Sequence, residues 1–541
     1  MRSSRVPLVV AVLLSLVWFL PAMGGEFLTW DDDRNFLMNQ SYRGLGWDQI
    51  RWMFTTVLLG HWQPLTWVTL GLDYVLWGMQ PWGYHLTNLL LHGVNATLLF
   101  FLIRAVLRRA SPDAEAASID WAAAAGVVLF AAHPLRVESV AWITERRQLL
   151  TAAFLLTSVM LHLRRRAWAA GLAHALAMLS STWGVVLPPL LVLLDGYFGR
   201  AGRRRLSYWV ALLPFAAIAA IGLAVNILAC AAAGTGRSLA DHSIVQRAMQ
   251  ASFGLCFYLA RTILPVSQTP LHELEAHLDP WTLTYLASLA AVAVVFVALA
   301  LGRRRRPGLW TAWLCYAVVL FPVLGLYQPV GLPLVAERYS YLALMPWSAV
   351  VAAVVLRNRR FRFAPATVLA LLLGPLTARY LPVWRDSVSL WTRAVDVHGQ
   401  SMIARTNLGH ALELREKFDE AADQYRLSLA IRPDEPRTRY KLGLVYARLE
   451  RYEAAIAEWR RVLEVAPAKA ELHFSIGLAS FRLGRALEAV AAYRRAIALQ
   501  PDYVEAHRAL GEALAALGRT AEARRALDTA RAVTRPYRPP Y

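Results

Sequence analysis

"NLGHALELREKFDEAADQYRLSLAIRPD", residues 407 to 434, opens a pattern that recurs down the rest of the chain. Gly409, Gly443, Gly477 and Gly511 are spaced by 34. Ala421, Ala455, Ala489 and Ala523 keep that interval, and so do Pro433, Pro467 and Pro501. Small residues at two fixed places let paired helices approach closely, and a proline ends the second helix of each pair. Such units bury their apolar faces only by stacking on one another.

A period of 34 with these residue types is the tetratricopeptide signature. Residues 402–537 have room for about four repeats, enough for a continuous core. Arrays of this kind hold polypeptides in a concave groove, and their plainer use is as a spacer or assembly surface.

Upstream of residue 380 the character changes. The 541-residue chain is 57% hydrophobic. That excess lies in long runs, which excludes an ordinary soluble domain. Apolar spans are predicted at 6–23, 85–103, 120–133, 148–163, 167–182, 184–198, 208–230, 281–302, 309–326, 341–356 and 363–380. Several are shorter than the roughly 20 residues a simple crossing needs. The first follows arginines and precedes small residues, as a cleaved signal does. With so many spans behind it, we read it as retained. The expected fold is all-α: a polytopic transmembrane bundle of about 11 spans, residues 1–380, then a junction, 381–401, then the repeat solenoid.

The formal charge is +20, from 57 Lys+Arg against 37 Asp+Glu. The arginines do not form a nucleic-acid patch. They punctuate the apolar runs, as the positive-inside rule requires. Arg2 and Arg5 precede the first span. Arg104, Arg108, Arg109, Arg164–Arg166, Arg200, Arg203–Arg205, Arg303–Arg306, Arg357, Arg359 and Arg360 close later ones. All fall on the cytoplasmic side if "SFGLCFYLARTILP" (252–265) is re-entrant or interfacial. The N-terminus is then inside and the repeats outside. The outer face receives three segments: 25–83, 131–148 and 327–340. Cys230, Cys256 and Cys315 make no disulfide or zinc pattern.

Ionisable groups beside membrane spans are costly and often functional. Asp31, Asp32 and Asp33 follow Trp30, where a solvated turn is the alternative. His85, Asn88 and His92 share one helical stripe. They serve either as packed polar groups or, for the histidines, as metal ligands, although no third ligand is evident. His133, Arg136, Glu138, Glu145 and Arg146 gather at the second outer turn, and Glu337, Arg338 and Tyr341 begin a later span. Glu145 and Arg146 also suit a simple interfacial ion pair.

The ordered set of segments resembles the transmembrane O-mannosyltransferases that carry tetratricopeptide repeats, in a bacterial relative. "WDDDRNFLMN" looks like that family's paired-aspartate motif. "HWQPLTWVTLGLDYVLWGMQPWGYHLTNLLLH", "HPLRVESVAWITERRQLL", "AERYSYLALMPW" and "WRDSVSLWTRAV" follow in the family's order. The resemblance implies a GT-C glycosyltransferase of a bacterial inner membrane. It would transfer a mannose-like sugar from a polyprenyl-phosphate donor to an extracytoplasmic hydroxyl, as on protein Ser or Thr, with inversion. It implies Asp31 or Asp32 as the base, with Asp32 preferred, and Arg136, Arg146 and Arg338 as donor-phosphate ligands. Glu138, Glu145, Glu337 and Tyr341 would support them, and His85 and His133 would contact sugar or phosphate. No metal ligand or cofactor is firmly implied, though a divalent ion is compatible. Ser181 stands where relatives carry Lys, and Gln148 where they carry an acid. The alternative is a non-catalytic membrane scaffold whose repeats recruit a protein partner.

Overall fold

A computed structural model describes residues 5–200, 206–232, 243–273, 279–325, 335–358, 364–466 and 468–532. Arg2, Arg203–Arg205, Arg359, Arg360, Pro467 and the 327–334 part of the third outer segment lie outside the described residues. The described chain is predominantly helical, with loops such as 38–46, 56–63 and 264–273 between the helices. Among the described residues there is no strand, only an isolated bridge between Leu58 and His61. The chain divides into two compact units, 1–393 and 394–541.

Every apolar stretch expected to cross the membrane is helical, but their lengths differ. Among the described residues six helices are long and apolar enough for a crossing: Arg5–Gly24, Pro81–Ala110, Leu206–Ala231, Leu283–Gly302, Glu337–Arg357 and Ala364–Trp384. A seventh arises if Ala116–Ala131 and Pro134–Ala141, bent by 60°, form one broken span. Ala167–Ser180, Thr182–Tyr197 and Pro307–Val323 are apolar but short. The first of these has 14 residues, and a helix of that length rises only about 21 Å. Arg146–Leu163 begins with two arginines and a glutamine, which lower its apolarity. By length and composition alone, then, six or seven of the expected 11 spans stand as full-length crossing helices among the described residues. The stretch read as re-entrant or interfacial is an amphipathic helix, Ile244–Ile263, and is not among those six. It starts at a capping box made by Ser243 and Gln246.

Small residues decide how closely these helices pack, because apolar lipid gives no hydrophobic drive for helices to associate. The run "WAAAAGVV" (121–128) is almost wholly buried. A Cβ on Gly126 would fall 2.6 Å from the carbonyl oxygen of Ser348, so glycine there permits the close approach of the Glu337–Arg357 helix. The same region ends abruptly. Pro134 has no N–H to continue a helix and forces His133 into extended geometry,.

The second unit contains eight paired helices, from Met402–Leu414 to Thr520–Ala532. The periodic glycines and alanines sit where the pattern places them. Ala455 is fully buried, and a Cβ on Gly443 would lie 2.3 Å from Trp459 Nε1. The turn within each pair repeats too. Glu416, Glu450, Gly484 and Gly518, again 34 apart, have φ of +59°, +58°, +75° and +73°. Left-handed backbone costs a residue with a Cβ roughly 1–2 kcal/mol, which glycine avoids. Glu450→Gly is therefore expected to raise the melting temperature of the repeats, and Gly484→Val to lower it by more. Thermal unfolding followed by circular dichroism checks both, and a lower melting temperature in Glu450→Gly contradicts the strain.

Candidate active site

The first outer segment is pinned at several points. Glu26 N–H donates to the Arg385 carbonyl at 2.8 Å, and Thr29 N–H donates to Ser387 Oγ at 2.9 Å. Trp30 lies against Trp142, Trp384 and Trp391, with centroids 4.9, 6.2 and 5.2 Å away. Part of the expected junction, 381–393, thus belongs to the first unit and walls this segment.

The three aspartates then diverge. Asp32 is fully buried and saturated. Its Oδ2 accepts from Leu28 N at 3.0 Å, and its Oδ1 accepts from Thr144 N at 3.2 Å and Thr144 Oγ1 at 2.6 Å. Asn35 Nδ2 donates to the same hydroxyl oxygen at 3.0 Å. Burial pushes the Asp32 carboxyl up to about 7, with the Thr144 and Leu28 hydrogen bonds opposing. Asp31 is half-buried, and its carboxylate makes no hydrogen bond or ion pair with a described residue. Burial raises its pKa, while the charges of Arg147 and Arg338 pull it partly back and Asp33 and Glu145 add to the rise. Asp33 accepts from Arg34 N at 2.8 Å at the surface. The expected preference for Asp32 as base does not suit this geometry, because its carboxylate already holds three donors and is closed to solvent.

The arginines differ as sharply. Arg338 donates through its backbone N–H to Glu138 Oε2 at 2.8 Å and through Nη1 to Glu138 Oε1. Its Nε lies 3.7 Å from Glu145 Oε1. Its guanidinium faces the rings of Tyr339, Trp142 and Trp30 at 4.8, 5.5 and 5.9 Å. Glu145 Oε1 also accepts from Arg147 Nη2 at 2.7 Å. Arg147, absent from the sequence-based set, is thus the partly exposed guanidinium of the cluster. Glu337 is buried and accepts from Thr269 N at 3.3 Å, behind the cluster.

Other expected site residues are buried among the helices. Arg146 is completely buried. It pairs with Asp73 and donates to Asn88 Oδ1 at 2.8 Å and the Tyr84 carbonyl at 2.7 Å, so each of its nitrogens is engaged by the protein. Arg136 donates to Ser340 Oγ and lies over Phe130 and Tyr341, also fully buried. Tyr341 bonds His92 Nδ1 at 2.8 Å and accepts from Asn95 Nδ2 at 3.1 Å. His92 Nε2 meets the Ala131 carbonyl at 3.0 Å, which accounts for that histidine as packing. His133 caps the turn behind it, accepting from Leu135 N at 3.2 Å and meeting the Thr262 carbonyl at 3.0 Å. His85 is buried beside Gly25. Ser181 accepts from Trp183 N at 3.4 Å, and Gln148 is buried. Among the described residues no three His, Cys, Asp or Glu side chains converge as metal ligands.

His61 was missed as well. His61 is half-buried in the first outer segment. Burial, then the charges of Arg147 and Arg338, push its pKa down to about 3, so it stays neutral beside them. No local spacing marks it, because only the tertiary fold brings it to the cluster. Arg147 carried a signal of its own, as the residue next to Arg146 in a turn where successive side chains face different ways.

Tetratricopeptide-repeat profiles match residues 383–436, 440–503 and 480–540. The chain is also related to proteins named protein O-mannosyl-transferase. One from Caenorhabditis elegans is 24% identical over 448 residues, 79% of this chain and 63% of that protein. Tmtc3 of Drosophila melanogaster is 24% identical over 471 residues, covering 72% of this chain and 50% of its own length. Tmtc2 of the same organism is 33% identical over 164 residues, 29% of this chain and 16% of its own. The chain thus spans less than two thirds of each of these relatives.

The Arg146–Asp73 pair is a structural test case. Removing one member of a buried pair costs about 3–5 kcal/mol by stranding the other charge. Arg146→Met should lower the melting temperature of the detergent-purified protein markedly, and adding Asp73→Asn should recover part of the loss. A single variant as stable as the parent would contradict the pairing.

Proposed function

We propose that this relative of the protein O-mannosyl-transferases moves a mannose-like sugar from a polyprenyl-phosphate donor to a hydroxyl of a polypeptide acceptor. The observation that carries the reading is Asp31: a half-buried carboxylate without a protein hydrogen bond among the described residues, set beside Arg147 and Arg338. The printed names of the relatives support the reaction class. In the reading, the protein is an integral membrane protein with this cluster and the repeats on the extracytoplasmic side. The repeats present the acceptor chain.

The step is a single displacement. The acceptor oxygen attacks the anomeric carbon as its proton passes to Asp31, the bond from that carbon to the phosphate oxygen breaks, and the configuration inverts. A carboxylate with a raised pKa is a better base than an ordinary one, since it holds the proton it takes. The departing phosphate is an anion, which a positioned guanidinium stabilises strongly in a dry site. Arg147 takes that role by its exposure, with Arg338 behind it, aimed by Glu138 and Glu145. Asp32 acts through position, holding the Trp30–Asp31 segment against Thr144. The displacement as written routes no step through a metal.

Asp31→Asn should reduce transfer at least 100-fold, within the range for loss of a general base, without lowering the melting temperature. Asp32→Asn should cost stability first. The assay is transfer from polyprenyl-phosphate mannose to a Ser/Thr peptide in membranes, read by mass spectrometry. Full activity in Asp31→Asn removes the base assignment. No transfer by the parent with any polyprenyl-phosphate sugar favours the scaffold.

The pH dependence has a definite sign. Transfer needs ionised Asp31, so the rate falls as pH drops through that group's pKa. Arg147→Gln removes the charge that most favours ionisation and should move the acid limb to higher pH,. Glu145→Gln removes a like charge and should move it lower. Profiles that do not separate in this order contradict the placement of these groups around the base.

A further inference from the structure

A cavity of about 700 Å³ lies away from the acidic cluster, between the Pro81–Ala110, Arg146–Leu163, Leu187–Tyr197, Pro307–Leu320 and Glu337–Arg357 helices. Its wall is aliphatic, with Leu155, Ala312 and Val350 among its residues, and it contains no acidic side chain. Its rim carries Arg109, Arg305, Arg306 and Arg357. All four are exposed, and none makes a side-chain hydrogen bond or ion pair among the described residues. Arg104, one turn deeper, is by contrast paired with Asp120.

An apolar trough ending in unpaired guanidinium groups matches a molecule with a hydrocarbon chain and an anionic head. Two membrane molecules that carry a phosphate on a hydrocarbon chain are a bulk anionic phospholipid and a polyprenyl phosphate. Position favours the first. Arg338 and Arg357 begin and end one helix, Glu337–Arg357 with its first helical turn, so the rim lies about 28 Å along the axis from the acidic cluster. A phosphate held at this rim is at the opposite interface from Asp31. We propose that this groove is a binding site for an anionic phospholipid, with an acyl chain between the helices and the headgroup phosphate on the arginine rim. The site does not depend on sugar transfer.

The full-length protein, delipidated in detergent, is titrated with phosphatidylglycerol and separately with phosphatidylcholine, and bound lipid is counted by native mass spectrometry. Phosphatidylglycerol should bind at least tenfold more tightly. Arg305→Gln, Arg306→Gln and Arg357→Gln combined should abolish that preference, and the corresponding three lysine substitutions should keep it. Ala312→Trp, which fills the trough and leaves the rim, should weaken both lipids. If the triple glutamine variant does not fold, Arg306→Gln and Arg357→Gln are read singly, each expected to narrow the preference. Equal binding of the two lipids, or an unchanged preference without the arginines, overturns the proposal. So does displacement of phosphatidylglycerol by an equimolar polyprenyl phosphate, which would make the groove a donor site.

Discussion

Four consecutive residues, Thr144 to Arg147, hold one end of the bundle in register. Thr144 fixes Asp32, Glu145 holds Arg147 and approaches Arg338, and Arg146 reaches Asp73, Asn88 and Tyr84. Arg147 supplies the charge that most favours ionised Asp31. One helical turn takes about 3.6 residues, so four successive side chains point to nearly every side of the axis. A turn in the middle of a packed bundle can therefore tie four neighbours at once. The bend after Ala131, forced by Pro134, puts it there.

Such ties are not chiefly a source of stability. Removing two charges from water costs about as much as their attraction returns, so a buried pair contributes geometry more than free energy. What matters is how each guanidinium is used up. Arg146 has a partner for each nitrogen, whereas Arg338 is aimed by two carboxylates and flanked by rings. Glu138 and Glu145 balance Arg338 and Arg147, which leaves Asp31 as the surplus charge. In the proposed displacement the surplus only moves. Asp31 becomes neutral as the phosphodiester becomes a monoester with one more negative charge, so the total in the site is unchanged and little reorganisation is needed.

The repeats were the most legible part, because a period of 34 is written directly in residues such as Gly443 and Ala455 that must be small to pack. The outer charged set was legible as a group for a related reason: buried charge in a membrane protein has to be clustered and paired. The division of labour inside it was not. Asp31 and Asp32 are neighbours with the same side chain, and only the donors of Leu28 and Thr144, one of them 112 residues away, separate a sealed carboxylate from an accessible one. Asp73 went unnoticed as the partner of Arg146 for the same reason. The span count was the least legible feature, since hydropathy alone does not say whether a 14-residue apolar helix such as Ala167–Ser180 crosses lipid,.

The long helices also show how the two proposed phosphate sites would coexist in one bundle. Pro81–Ala110 buries Tyr84, His85, Asn88, His92 and Asn95 in its first half and carries Arg104, Arg108 and Arg109 in its last turns. Its 30 residues rise about 45 Å,, more than the roughly 30 Å of a hydrocarbon core. Both ends therefore reach polar surroundings, and neither charge cluster lies within a Debye length of the other, about 8 Å at physiological salt. A rigid helix of this length would keep the proposed lipid rim from competing with Arg147 and Arg338 for the phosphate of the proposed donor. The separation is a property of the backbone rise, set before any side chain chooses its partner.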